Sequence, residues 1–382
     1  VIVVKAPQHY LNETGLLYRI GEYVAPIARE GVMIITSPRA WQTARQAIDN
    51  SFGAKRIRYR RYFLQGECTA HTIAAFAGRA DADNAALIIG VGGGKVLDTA
   101  KGVAESSGRR PLITVPTIAA TCAAWSPITV LYSDTGAHLH SMALERTPDW
   151  VLVDSAIIAA APVRYLKAGI VDALAKWFEF EPYLRAKDDS LSLVLKAQAA
   201  RLALDIIEQH AKDALDANEH GRVTPALLKT VDAVIALAGM ANSMRDEFPR
   251  IGVAHAIHNS LTRQSDLRGF LHGELVGFGL AVQSRLDDAD APSQLKLLSL
   301  LADFSMPVTL AGLGIREERE SRAQTLAREV KIPPAVAARL PFPLDAGRIM
   351  RAILANDGQP GGAATQAAPP GKSGIIAGAD TR

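Results

Sequence analysis

Two cysteines, Cys68 and Cys122, are all that the 382 residues contain. That scarcity excludes a disulfide framework and a cysteine-built metal cage. No apolar run approaches the roughly 20 residues needed to span a bilayer. The opening residues, "VIVVKAP", lack the basic n-region of a secretory signal, and the absence of an initial Met points to a trimmed or fragmentary N-terminus. The default location is the cytoplasm. Charge of one sign is also missing: 42 Lys and Arg against 39 Asp and Glu leave +3, without the strongly basic stripe of a nucleic-acid binder. Arg56, Arg58, Arg60 and Arg61 do cluster, but they alternate with Ile57, Tyr59 and Tyr62. That pattern reads as the polar face of an edge strand. Neither a nucleic-acid nor a membrane partner is expected.

What is present is an enzyme-like composition, 48% hydrophobic and 21% charged. The length suits two domains, because single cores stop growing at roughly 250–300 residues. Up to about residue 155, short β-branched runs alternate with helical patterns: "VMIIT" (32–36), "AALIIGV" (85–91), "PLITV" (111–115) and "VLVD" (151–154). Nearly continuous apolar runs separated by helices mark a parallel sheet covered on both faces. After Pro162 the strand pattern stops. "LSLVLKAQAARLALDIIEQH" carries a helical stripe at Leu191, Leu195, Leu202 and Ile206, and "TVDAVIALAGM" and "SQLKLLSLLADF" continue in kind. The expectation is an α/β domain over 1–160 and an all-α domain over 161–355, with ligands in the cleft between them. Residues 356–382, rich in Gly, Ala and Pro, read as a weakly structured tail.

"IIGVGGGKVLDTAKG" (88–102) sets Gly92, Gly93 and Gly94 between a buried strand and a helix. Glycines there let backbone approach a pyrophosphate, and the helix start offers free N–H groups and a positive dipole end. The phosphate loop of nucleotide triphosphatases is excluded, because Val96 stands where a Ser or Thr must follow the Lys. The dinucleotide fingerprint fits imperfectly, with Lys95 in place of its third glycine, and a plain tight turn has the same appearance.

Three of the nine histidines fall in "GVAHAIHNSLTRQSDLRGFLHGE" (252–274). They decorate a solvated helix–loop–helix, or His255 and His272 join a carboxylate around a metal. Asp172, early in the helical "KAGIVDALAKWFEF" with Ile170, Leu174, Trp177 and Phe178 on its buried side, is the candidate carboxylate. One oxygen and two nitrogens would leave the open fourth position of a catalytic zinc site. His258 shares a helix face with His255 and suits a supporting or proton-handling role. Spacing alone leaves both readings open.

"GVGGGKVLDTAK", "VPTIAATCAAWSPITVLYSDTG", "AGIVDALAKWFE" and "HAIHN…HGE" resemble, in order, the signatures of the iron-containing alcohol dehydrogenase superfamily and its glycerol dehydrogenase branch. The likeness covers roughly residues 1–355. It implies a dinucleotide-binding N-terminal domain, a helical C-terminal domain, and a homo-oligomer. It also implies a divalent metal on Asp172, His255 and His272, and a nicotinamide cofactor near Gly92, Gly93, Gly94, Lys95, Asp98, Thr114, Thr117 and Thr121. In this chemistry the metal polarises the C–O group and hydride passes between the substrate carbon and the nicotinamide. Iron-using members add a His four residues after the Asp; here that position is Lys176, which has no lone pair to give, so zinc is expected. A dehydroquinate synthase-like lyase shares the architecture, but its motif has Glu where Asp172 stands, and net NAD(P)H turnover would exclude it.

Three departures from the glycerol dehydrogenase pattern bear on specificity. The strand "VMIIT" runs into Ser37 and Arg39 in place of the acidic residue that grips a ribose 2′-hydroxyl, which suits NADP over NAD. The pattern's "TDA" reads "TCA", so Cys122 replaces a carboxylate that could bind a polyol. Lys176 and Arg250 add positive charge, as a carboxylate substrate needs. The resemblance is closest to a hydroxycarboxylate dehydrogenase subgroup that reduces 2-oxo acids, with glycerol oxidation as the alternative.

Overall fold

The computed structural model describes residues 1–287 and 291–357. The strands are β1 (Val3–Val4), β2 (His9–Glu13), β3 (Val32–Thr36), β4 (Tyr59–Phe63), β5 (Leu87–Gly92), β6 (Leu112–Pro116), β7 (Ile128–Tyr132), β8 (His138–Ala143), β9 (Trp150–Asp154) and β10 (Met244–Arg245). Six form one sheet in the order β2-β9-β6-β5-β3-β4, with every pairing parallel. The four apolar runs expected as strands become β3, β5, β6 and β9. Of the arginine-rich segment, Arg60 and Arg61 lie in the edge strand β4, while Arg56 caps the preceding helix and Arg58 precedes the strand. Arg58 and Arg60 pair with Glu30 and Asp83 on the surface.

Side chains alternate across the central strands. Ile34, Ile89, Val91 and Val115 face α2 (Pro38–Lys55, after the short α1, Ile20–Val24) through Trp41, Ile48 and Phe52. Met33, Ile35, Ile88 and Leu112 face α3 (Ala70–Ala82) and α4 (Gly94–Ser106) through Phe76, Ala80, Ala100 and Val103. So the chain leaves β3 on one face of the sheet, toward β4, and leaves β5 on the other, toward β6. The two loops diverge and open a crevice at the carboxyl ends of β3 and β5, where doubly wound sheets bind ligands.

After α5 (Ser155–Ala159) the chain is helical: α6 (Val163–Arg185), α7 (Leu191–Glu219), α8 (Pro225–Asp232), α9 (Ala238–Ser243), α10 (Val253–Leu261), α11 (His272–Leu286), α12 (Pro292–Asp303), α13 (Arg319–Glu329), α14 (Pro334–Ala337) and α15 (Ala346–Asp357). The first residues return to this part, β1 pairing antiparallel with β10. On α7 the expected stripe is corrected. Leu191, Leu195 and Leu202 are exposed, and the buried face is Leu193, Ala197, Ala200, Leu204, Ile207 and Ala211. Alanine lets a long helix pack close to its neighbours, and periodicity weighted toward leucine overlooks that face.

Pro225–Ser243, joined through a π-helical turn at Ala233–Leu237, is long and apolar enough to count as a span by length and composition. Lys229 and Asp232 interrupt it, so no continuous apolar run announces it in the sequence. Here Leu227, Val231, Val234 and Ile235 join the same core as α6 and α7. Asn356 and Asp357, assigned to the tail, close α15, and the rest of the tail lies outside the described residues.

Candidate active site

The crevice side is built mainly from backbone. β5 ends at Gly92, Gly93 is the N-cap of α4, and no side chain caps that helix, so its first-turn N–H groups are free for an anion. Ser37 caps α2, accepting the Ala40 N–H at 3.3 Å, and Arg39 stands exposed in that helix's first turn. Both lie on the β3 side of the crevice. Thr117 donates its N–H to the Gly92 carbonyl at 3.1 Å, and the Thr121 hydroxyl accepts from the Ala123 N–H at 3.2 Å. The loop through these residues therefore lines the glycine turn. Lys95 reaches Glu67 at 2.6 Å on the surface.

Two residues assigned to the cofactor are engaged elsewhere. Thr114 is fully buried and gives its hydroxyl to the Ala124 carbonyl at 2.8 Å, so its side chain shapes the loop. Asp98 sits on the buried Lys101 ammonium at 2.7 Å and accepts the Val130 N–H at 3.3 Å. Lys101 also donates to the Ser126 carbonyl at 3.3 Å. Together they fasten the β7–β8 hairpin to α4.

The opposite side is built from side chains of three helices. Asp172 Oδ1 on α6 lies 3.1 Å from His255 Nε2 on α10 and 3.3 Å from His272 Nε2 at the start of α11. One donor atom from each residue falls within 4.8 Å of the others. A tetrahedral ion with bonds of about 2.0–2.1 Å holds its donors about 3.3 Å apart, so the two short spacings fit such an ion. Helix packing makes the convergence possible. A Cβ on Gly273, next to His272, would fall 1.9 Å from the Ala168 carbonyl oxygen of α6, so only glycine lets α11 come this near.

Charge is concentrated around the cluster. Lys176 Nζ is 3.2 Å from Asp172 Oδ1 and 3.3 Å from His255 Nε2, with a side chain only 7% exposed. Burial alone would raise the Asp172 carboxyl, yet Lys176 and the two imidazoles hold it well below its usual range. Burial likewise works to lower the Lys176 ammonium, and the Asp172 carboxylate, with Glu179 beyond it, outweighs that and raises it. His258 is buried against His272, ring centres 4.2 Å apart edge-to-face. Burial and the neighbouring imidazoles keep it well below its ordinary value, hence neutral. Cys122 accepts from Asn242 Nδ2 at 3.5 Å, and burial pushes its thiol up to about 11, so no anion stands there.

Arg250 is corrected outright. Its side chain is 1% exposed and is claimed by Asp188 and Asp246, each at 2.8 Å, and by Ser190. It fastens the segment leading into α10 and presents nothing to a substrate. Two residues were missed. Glu179 binds the His255 ring at 2.7 Å, and its position seven residues after Asp172 on one helix face was the available signal. His138, on the hairpin, is tied by its backbone N–H to Thr262 at 2.9 Å and faces Tyr132 edge-on. No local signal marks it.

A switch-point crevice in a doubly wound sheet, together with a three-donor cluster in the helical part, is the layout of a nicotinamide-linked, metal-dependent oxidoreductase. Comparison with known proteins agrees. The family model described as iron-containing alcohol dehydrogenase matches residues 7–155. Hydroxycarboxylate dehydrogenase A of Escherichia coli K12 is 36% identical over 324 residues, covering 82% of this chain and 85% of that one. A glycerol dehydrogenase of Pseudomonas putida is 32% identical over 358 residues, covering 93% and 96%. Among solved structures, a probable glycerol dehydrogenase from Sinorhizobium meliloti superposes with a TM-score of 0.82 at 29% identity, covering 93% and 97%. The chain belongs to the iron-containing alcohol dehydrogenase family and is an alcohol dehydrogenase-type oxidoreductase, of a family that uses NAD(P) and a divalent metal.

Proposed function

We propose that the protein moves hydride between a nicotinamide dinucleotide and the CH–OH or C=O carbon of a small 2-hydroxy or 2-oxo carboxylic acid. NADP(H) is preferred or used alongside NAD(H), and zinc is the favoured ion. The observation that carries this reading is the tetrahedral-edge spacing of Asp172, His255 and His272, on the far side of the cleft from an uncapped α4. A bound divalent ion would supply Lewis-acid polarisation of the substrate oxygen, and the nicotinamide the hydride chemistry.

The chain's own residues supply the rest. Asp172, His255 and His272 would hold the ion, and Lys176 keeps Asp172 ionised. The first N–H groups of α4 receive the pyrophosphate beside Gly93, Gly94 and Lys95, with Thr117 and Thr121 along the loop. Arg39 takes a 2′-phosphate and Ser37 introduces no competing carboxylate. The neutral Cys122 thiol adds no anion to the loop, and the buried Lys176 cation offsets the Asp172 carboxylate beside it, which supports an acid over a polyol. The likeness to the hydroxycarboxylate dehydrogenase points the same way. The second reading, glycerol oxidation, has the support of the glycerol dehydrogenases among the relatives. We also infer a cytoplasmic homo-oligomer, with Leu191, Leu195 and Leu202 exposed along α7 as a surface for self-association; light scattering tests the assembly.

The experiment is a screen of small 2-oxo acids and of glycerol with NADPH and NADH, run in both directions. Reduction of 2-oxo acids over glycerol oxidation is expected. Robust glycerol oxidation with no 2-oxo acid reduction would return the enzyme to the glycerol reading.

A further inference from the structure

The helix that carries His255 has no cap of its own. The N-cap position of α10 is Gly252, which has no side chain to accept the first N–H groups. Those groups are taken by other helices. The His255 N–H donates to Glu179 Oε1 of α6 at 2.9 Å, and the Ala254 N–H donates to Gln283 Oε1 of α11 at 3.2 Å. Gln283 in turn donates to the Phe178 carbonyl at 2.7 Å. Glu179 can enter only because Gly252 is bare: a Cβ there would lie 2.0 Å from the Glu179 carboxyl carbon.

Glu179 does a second thing with its other oxygen. Oε2 accepts from His255 Nδ1 at 2.7 Å, and the carboxylate is buried. An imidazole that gives its Nδ1–H away presents Nε2 as its lone-pair nitrogen, and Nε2 is the atom that faces Asp172. We propose that Glu179 is the positioning residue of the metal site, capping α10 with one oxygen while fixing the tautomer and ring direction of His255 with the other. This rests on the metal reading of Asp172, His255 and His272.

The test uses the full-length protein loaded with Zn²⁺. Zinc affinity is measured by competition with a chromophoric chelator, alongside ¹⁵N NMR of the histidine ring nitrogens. Three variants are compared with the wild type: Glu179→Gln, Gly252→Ala and Gln283→Ala. Glu179→Gln keeps the shape but cannot serve both N–H groups as an anion, and zinc Kd should rise about 10–100-fold. The protonated Nδ1 signal of His255 should be lost or averaged. Gly252→Ala, which displaces the carboxylate without altering it, should move both readouts the same way. Gln283→Ala removes the neighbouring cap and should lower Tm with zinc Kd little changed. A Glu179→Gln protein with wild-type Kd and an unchanged His255 signal overturns the role of Glu179 alone. A Gln283→Ala protein that loses as much affinity reduces Glu179 to a helix cap and also overturns it. Failure of the wild type to bind stoichiometric Zn²⁺ sinks the metal reading itself, and this inference with it.

Discussion

The two walls of the cleft are made differently. The wall proposed for the cofactor is a strand end, a glycine turn and an uncapped helix start, all within residues 87–106. The metal wall is three side chains from positions 172, 255 and 272, brought together only when α6, α10 and α11 pack. A surface of backbone N–H groups survives most single substitutions, because no one side chain supplies it. A cluster of three donors does not. The metal wall should therefore be brittle and the cofactor wall tunable.

The largest effect tests that brittleness. His272→Ala should lose both the ion and the turnover it supports, at least about a thousandfold, since Lewis-acid stabilisation is worth several kcal/mol. Metal content and NAD(P)H-linked rates read this directly. Asp172→Ala should do the same and also destabilise the metal-free protein by about 3–5 kcal/mol, because the buried Lys176 ammonium loses its carboxylate. Denaturant titration separates the two variants.

Next comes Arg250→Ala, which the sequence alone would assign to substrate binding. With its guanidinium between Asp188 and Asp246, the expected outcome is a loss of about 3–5 kcal/mol of stability. KM for a 2-oxo acid should stay within about twofold among molecules that remain folded, since no contact to the ligand is removed. A raised KM at unchanged Tm would place Arg250 in the cleft after all.

Ser37→Asp probes the tunable wall. A carboxylate at the β3 end should favour a 2′-hydroxyl over a 2′-phosphate and move the NADPH/NADH ratio of kcat/KM by about tenfold or more, the worth of one charged hydrogen bond. Total activity should survive. A strong NAD(H) preference that this substitution leaves unchanged would contradict the assignment of Ser37 and Arg39.

The smallest effect concerns pH. Burial, then the nearby His272 and Arg263, lower His138 to about 4, against roughly 6.5 in an unfolded chain. The folded state then binds fewer protons than the unfolded one between those values. Its contribution to stability is full above about 6.5 and lost as pH falls toward 4. His138→Gln should flatten that part of the stability profile of the metal-free protein, as urea titrations across the range would show.

The same contrast explains what could be read in advance. β3, β5, β6 and β9 announce themselves because a buried parallel strand is a local apolar run, and the glycine turn is contiguous. The edge strand β4 was equally plain from alternation. Asp172, His255 and His272 were nameable through motif likeness, while their 3.1 and 3.3 Å spacings depend on helix packing that no local pattern carries. Arg250 misled because charge in a sequence says nothing about its partners, and Asp188 and Asp246 both lie in loops with no periodic pattern to read. The α7 stripe misled because alanines, and not leucines, fill the close contact.

Anomalous X-ray diffraction at the zinc edge, on crystals grown with Zn²⁺, tests the central claim most directly. The account predicts one peak per chain within about 2.0–2.2 Å of an Asp172 oxygen and of Nε2 on His255 and His272. Absence of a peak at that cluster, or a peak bound through Cys122 instead, would contradict it.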